Sequence, residues 1–173
     1  TKPATIPQKK SEFLYGINLD SFDVTTKKIR WGQSFSDILL KNGISNQTIY
    51  EANQKIKPLF NLKKIKKGNT YTLLFKKGNE KPTYFVYETS VYDYLICKLT
   101  GTITANKIKR EITYDDKKIS GSIQSSLYLS FDEQNHPLDL VNLMVDVFAW
   151  QVDFFRIMPG DRYDILYTEE RID

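Results

Sequence analysis

The chain has 173 residues, and at roughly 150 residues per domain that allows one domain or two small ones and excludes a barrel-type catalytic fold. Hydrophobic residues make up 40% and charged residues 27%, which supports a packed core and excludes global disorder. The 25 Lys and Arg against 21 Asp and Glu give a net charge of +4, too mild and too dispersed for a nucleic-acid partner, and no run reaches the roughly 20 apolar residues of a membrane-spanning helix.

Residues 1–22 read as an N-terminal arm or linker. The first ten are polar with Pro3 and Pro7 and no initiating Met, which fits a trimmed or mature terminus better than a signal peptide. Residues 24–30 suit a strand, and Gly32-Gln33-Ser34 a turn. Ser34, with Asp37 three residues on, predicts the N-cap of a helix over 35–41 that Asn42-Gly43 stops. Ser45 caps a second helix over 46–56, with Ile49, Ala52 and Ile56 at helical spacing and Pro58 marking its end. Lys67-Gly68-Asn69 turns the chain into a strand over 71–75. Residues 23–78 thus form a strand, helix, helix, strand unit. Lys55, Lys57, Lys63, Lys64, Lys66 and Lys67, interrupted by Pro58-Leu59-Phe60, read as a solvated face that an anionic partner would meet first.

Gly78-Asn79 is expected to separate this unit from a second α+β domain over 79–173. There, 81–88, 91–99 and 102–114 predict an antiparallel meander, Asp115-Asp116-Lys117 a solvated turn and 122–131 a short helix. Pro137 opens a longer helix to about residue 155. Its stripe of Leu138, Val141, Val145, Phe148, Val152 and Phe155, widened by Leu140, Leu143, Met144, Val147 and Phe154, predicts near-complete burial. Pro159-Gly160-Asp161 ends it, and 163–167 returns as a strand. The chain stops six residues later, which reads as truncation.

The inventory for chemistry is thin. Cys97 is the only cysteine, so no internal disulfide or thiolate zinc cluster can form, and strand alternation puts it on the core face with Leu95 and Leu99. His136 is the only histidine; it supplies neither a catalytic zinc set nor a favourable base for a Ser-His-Asp triad, and reads as a helix-capping loop residue. The carboxylate groups Asp115 with Asp116, and Asp153 with Asp161 and Asp164, read as structural, and no GxGxxG or GxxxxGK phosphate loop occurs. The aromatic segment Phe148-Ala149-Trp150-Gln151-Val152-Asp153-Phe154-Phe155 is expected to be core.

Ile29-Arg30-Trp31-Gly32-Gln33-Ser34-Phe35-Ser36-Asp37-Ile38-Leu39, with Gly43-Ile44-Ser45 and Ile65-Lys66-Lys67-Gly68-Asn69-Thr70-Tyr71, resembles a LysM-type module. Phe35 stands where that family usually has Leu, and the stretch 57–64 is longer and more basic than is common. The resemblance implies N-acetylglucosamine-containing glycan contacts at the turn after the first strand and the loop before the second, here Gly32, Gln33, Ser34, Phe35, Lys57, Pro58, Leu59 and Phe60 through Leu62; alternatively the same residues occlude the groove of a downstream peptidase domain, with Pro58, Leu59 and Phe60 as an apolar tip projecting among lysines. Tyr15-Gly16-Ile17-Asn18-Leu19-Asp20-Ser21-Phe22, Ser125-Ser126-Leu127-Tyr128, Ala149-Trp150-Gln151-Val152-Asp153-Phe154-Phe155-Arg156 and Pro159-Gly160-Asp161-Arg162-Tyr163 resemble the region preceding the catalytic domain in Gram-negative lysostaphin-type (LytM-like) zinc peptidases.

Those enzymes cut peptidoglycan cross-links through HxxxD and HxH motifs, neither of which occurs here. The resemblance therefore implies a noncatalytic regulatory or positioning region of a peptidoglycan endopeptidase in the periplasm or cell envelope, with zinc in a downstream domain. Its implied partners are peptidoglycan, that catalytic domain and an envelope regulatory protein. One alternative is a stand-alone glycan- or envelope-protein-binding module, another an independent carboxylate glycosidase. With one His and one Cys as ligands, metal analysis of the dialysed chain is expected to find far less than one equivalent of zinc. A stoichiometric, chelator-resistant zinc would contradict this.

Overall fold

A computed structural model describes residues 12–172. They form a mixed α+β structure with antiparallel sheets, in two compact units: one up to Glu111, the other Ile112–Arg171.

The first unit opens on a hairpin of β1 (Phe13–Leu14) and β2 (Ile17–Asn18). Tyr15 and Gly16 both take positive φ, 53° and 73°, as a two-residue hairpin loop of the type I′ kind requires. A single 3-10 turn (Leu19–Ser21) leads into β3 (Phe22–Lys28), followed by α1 (Phe35–Lys41), α2 (Asn46–Ile56), a 3-10 turn (Leu62–Lys64) and β4 (Thr70–Lys76). β5 (Tyr84–Glu88), β6 (Asp93–Lys98) and β7 (Thr104–Lys109) complete one five-stranded antiparallel sheet in the order β3-β4-β5-β6-β7.

The sheet is covered on both faces. Alternation along β4 sends Tyr71 and Leu73 to the face under α1 and α2, with Phe35, Leu39, Ala52, Ile56, Phe85, Leu95 and Cys97. Leu74 faces the other way with Val86 and Tyr94, onto which Tyr15, Ile17, Leu19 and Phe22 pack. Cys97 is fully buried, and burial pushes its thiol up to about 12, which leaves it inert. Residues 12–22 are therefore part of the fold rather than the expected arm, while 1–11 lie outside the described residues. The expected boundary at 78/79 falls inside the sheet: Gly78, at φ 83°, turns β4 toward β5, and the two strands pair from Tyr71 with Tyr87 to Leu74 with Tyr84.

The second unit pairs β8 (Ile112–Ser122) with β9 (Arg162–Ile172) and carries α3 (Leu127–Glu133) and α4 (Asp139–Phe148) between them. Asp115-Asp116-Lys117, expected as a turn, lies within β8. Cross-strand charge explains it: Lys117 pairs with Glu169, Lys118 with Asp164 at 2.9 Å and Arg171 with Asp115 at 3.2 Å. The long buried helix is also corrected. α4 stops at Phe148, because Asp153 bonds the Phe155 N–H at 3.1 Å and caps a separate 3-10 turn, Phe154–Arg156. Of α4, only Leu140 is buried; Trp150 is 98% exposed and Phe155 fully so.

The core of this unit is Ile123, Leu127, Phe131, Leu140 and Tyr163. His136 joins it instead of capping a helix: its ring stands edge-on to Phe131 at 5.6 Å and to Tyr163 at 6.0 Å. Gly121 is required by space, since a Cβ there would collide with the Tyr163 ring and come within 2.7 Å of Gln134 Oε1. Gly121→Ala is expected to destabilise the chain by about 1–3 kcal/mol in urea unfolding. An unchanged midpoint would show that Tyr163 yields freely.

Candidate functional site

The site grows from the connection between β3 and α1. Ile29 N–H donates to Asn69 O at 2.8 Å and Gly68 N–H to Ile29 O at 3.0 Å, zipping the end of β3 to the start of β4. The next four residues close on themselves: Gln33 N–H donates to Arg30 O at 3.2 Å, and Gln33 Oε1 accepts from Arg30 N–H at 3.0 Å. Gly32 supplies the φ of 71° that this turn needs.

Ser34 and Asp37 then form a reciprocal capping box. Asp37 N–H donates to Ser34 Oγ at 3.2 Å, while Asp37 Oδ2 accepts from Ser34 N–H at 2.9 Å and Ser34 Oγ at 2.6 Å. The Ser34 hydroxyl, then its backbone N–H, hold the Asp37 carboxyl below its ordinary value. The cap's contribution is thus complete above the ordinary Asp range and is lost as pH falls through the lowered value.

The opposite wall is the segment after α2. Leu59 and Phe60 N–H both donate to Ile56 O, at 2.8 and 2.9 Å, and Asn61 caps the following 3-10 turn by accepting from Lys63 N–H at 3.0 Å. Tyr87 anchors this wall to the sheet: its ring lies 5.7 Å from Phe60, and its hydroxyl accepts from Lys66 N–H at 3.0 Å and Asn69 Nδ2 at 3.1 Å.

Between the walls lies an open groove of about 690 Å³. Ser34, Phe35 and Ser36 line one side, Lys57, Phe60, Asn61, Leu62 and Lys63 the other, and Tyr50, Asn53 and Gln54 of α2 the floor. An exposed Tyr with three amides and flanking hydroxyls is a set that stacks on and hydrogen-bonds a neutral sugar. Of the sequence-predicted residues, Ser34, Phe35, Lys57 and Phe60 meet here, whereas Gly32, Gln33, Pro58 and Leu59 do not line the groove.

Two aromatic expectations are corrected by packing. Phe35 is 2% exposed and stands edge-on to Phe85 at 5.0 Å, so its ring belongs to the core. Phe60 packs against the same core and is no projecting tip; Leu59, 38% exposed, is the apolar residue presented to solvent. Sequence reasoning missed Tyr50, Asn53 and Gln54. With Lys57 they recur at three, four and seven residues on the polar face of α2, a signal that the apolar stripe overshadowed.

Among the described residues no group of three or more His, Cys, Asp or Glu could hold a metal ion. His136 packs in the second unit and Cys97 in the core of the first. No described helix is long and apolar enough to cross a membrane.

No family model matches the sequence, and no curated protein matches it. Solved structures do. Helicobacter pylori Csd3 aligns in two crystal forms. The hexagonal form has TM-score 0.52 and 20% identity over 85% of this chain and 40% of Csd3. The orthorhombic form has TM-score 0.51 and 20% identity over 84% and 40%. A zinc-containing peptidase from Vibrio cholerae aligns at TM-score 0.48 and 18% identity, over 86% of this chain and 49% of that one. The likeness to Csd3 is one of fold, and the chain spans less than half the length of each of these proteins.

Phe60→Ala is expected to cost about 1–3 kcal/mol of stability through its lost packing on Tyr87, against less than about 0.5 kcal/mol for Leu59→Ala. Equal losses in thermal unfolding would contradict the assignment of Phe60 as anchor and Leu59 as tip.

Proposed function

We propose that this chain is the noncatalytic regulatory and positioning region of a peptidoglycan endopeptidase of the Gram-negative cell envelope. Residues 23–78 act as a LysM-like portion that meets peptidoglycan or restrains a zinc peptidase domain of the same polypeptide. The observation that carries the reading is the groove itself: Ser34 and Phe35 from one segment in which the LysM resemblance implies ligand contact, and Lys57 and Phe60 to Leu62 from the other, line it across α2. The element order β3-α1-α2-β4 supports the reading, since the resemblance implies a strand, two helices and a closing strand. The fold shared with part of Csd3 supports the setting.

Restraint needs an element able to enter a substrate cleft and leave again. Leu59 is such an element, a single exposed apolar side chain between Lys57 and the lysines of the following turn. In the second unit, Trp150, Phe155 and Met158 are exposed, an apolar surface suited to a further domain of the same polypeptide. Specificity for a given glycan or cross-link is a matter for the groove lining.

The test is wall-digesting activity of the polypeptide that carries the zinc domain, compared with its Leu59→Asp variant. Deleting 23–78 would strip β4 from β5 and unfold the sheet, so the point variant is the cleaner probe. A latch contact worth about 1 kcal/mol predicts roughly fivefold higher activity at unchanged zinc content and melting temperature. Activity that stays the same or falls would rule out restraint by this tip.

A further inference from the structure

The turn at 30–35 has a second side with different chemistry. Lys27 and Lys28 close β3, Arg30 and Trp31 open the turn, Lys41 ends α1, and Lys67 precedes β4; these six line an open concavity of about 690 Å³. No Asp or Glu lines it. The described carboxylates that form ion pairs pair elsewhere, with Lys107, Arg110, Lys117, Lys118, Arg156 and Arg171. Five cations thus share one concavity in a chain whose net charge is only +4. None of the ion pairs among the described residues involves them, so their mutual repulsion favours a bound anion. Lys41 also complements the carbonyl end of α1, and strand alternation turns Lys28 to the face opposite Lys27, so Lys27, Arg30 and Lys67 are the main anion contacts.

Trp31 adds the second observation. It is 86% exposed on a turn that the Arg30 and Gln33 bonds hold closed. A flat ring on a rigid base beside unpaired cations suits a sugar ring with an attached charge: the ring stacks on indole, and the anion meets lysine and arginine. A single-stranded nucleic acid would want successive stacking platforms, and this lining offers one exposed aromatic.

We infer that this concavity binds an anionic saccharide, its ring on Trp31 and its phosphate or carboxylate held by Lys27, Arg30 and Lys67. The site shares no lining residue with the groove over α2 and stands independently of the function proposed for that groove. A phosphorylated sugar headgroup of a lipid and a muramyl unit whose lactyl carboxylate is free of stem peptide offer the same chemistry.

The test uses the full chain carrying Trp150→Phe, so that Trp31 is its only indole. Its fluorescence is titrated with N-acetylglucosamine 1-phosphate, N-acetylmuramic acid, neutral chitotetraose, sodium phosphate and an oligothymidylate. A saturable change with at least one anionic sugar is expected, and which one responds separates the two sources. Lys27→Gln with Arg30→Gln should weaken that binding about tenfold, as should raising NaCl from about 50 to about 300 mM. The inference is overturned by no response at millimolar sugar, by an equal response to chitotetraose, by the double variant binding unchanged, by sodium phosphate alone reproducing the full change, or by the oligothymidylate binding tighter than either sugar.

Discussion

Everything proposed for the first unit depends on one wedge, the Phe35 side chain driven into the core directly after a capped turn. Its ring meets Phe85 edge-on at 5.0 Å, and the Ser34–Asp37 box holds the backbone just before it. Burying a Phe contributes about 1.5–3 kcal/mol and an N-cap about 1 kcal/mol, enough together to fix the connection against fraying. Residues 30–35 then serve as a shared wall. On one side lies the amide- and Tyr-lined groove over α2, on the other the cationic concavity beside Trp31. With Phe35 pointing inward the connection is held in place, and each surface site adds residues of other elements to it.

The helices of this unit were legible because their signals are local. Ser34 and Ser45 cap α1 and α2, Asn42-Gly43 separates them, and both helices begin and end where those residues place them. The three-strand meander was legible as alternation, though the strand expected to 114 ends at Lys109. What failed was non-local. Gly78-Asn79 looks the same in sequence whether it parts two domains or turns a hairpin, and only the pairing of β4 with β5 decides. Likewise Asp115-Asp116-Lys117 reads as a turn until Glu169 and Arg171, more than fifty residues on, supply the opposite charges.

The sites show the same division. Ser34, Phe35, Lys57 and Phe60, singled out through resemblance, line the groove, but Phe35 and Phe60 turn their rings toward the core, because sequence places a residue in a segment without saying which way its ring turns. The dense lysine run at 55–67 drew attention, whereas the concavity of unpaired cations draws only Lys67 from it and gathers Lys27, Lys28, Arg30 and Lys41 from three other elements. In the second unit the apolar stripe after Pro137 was real, but Asp153 diverts the chain before that stripe can complete a helix, and its far end faces outward.

The central claim is that the groove between the capped turn and the segment after α2 is the surface that faces the wall. Amide chemical-shift mapping of the chain with chitotetraose or a soluble peptidoglycan fragment tests it most directly. The account predicts saturable shifts at Ser34, Phe35, Ser36, Asn53, Gln54 and Asn61 to Lys63, with the neutral sugar leaving Lys27, Lys28 and Lys67 unmoved. Shifts confined to other parts of the chain, or none at millimolar ligand, would contradict it.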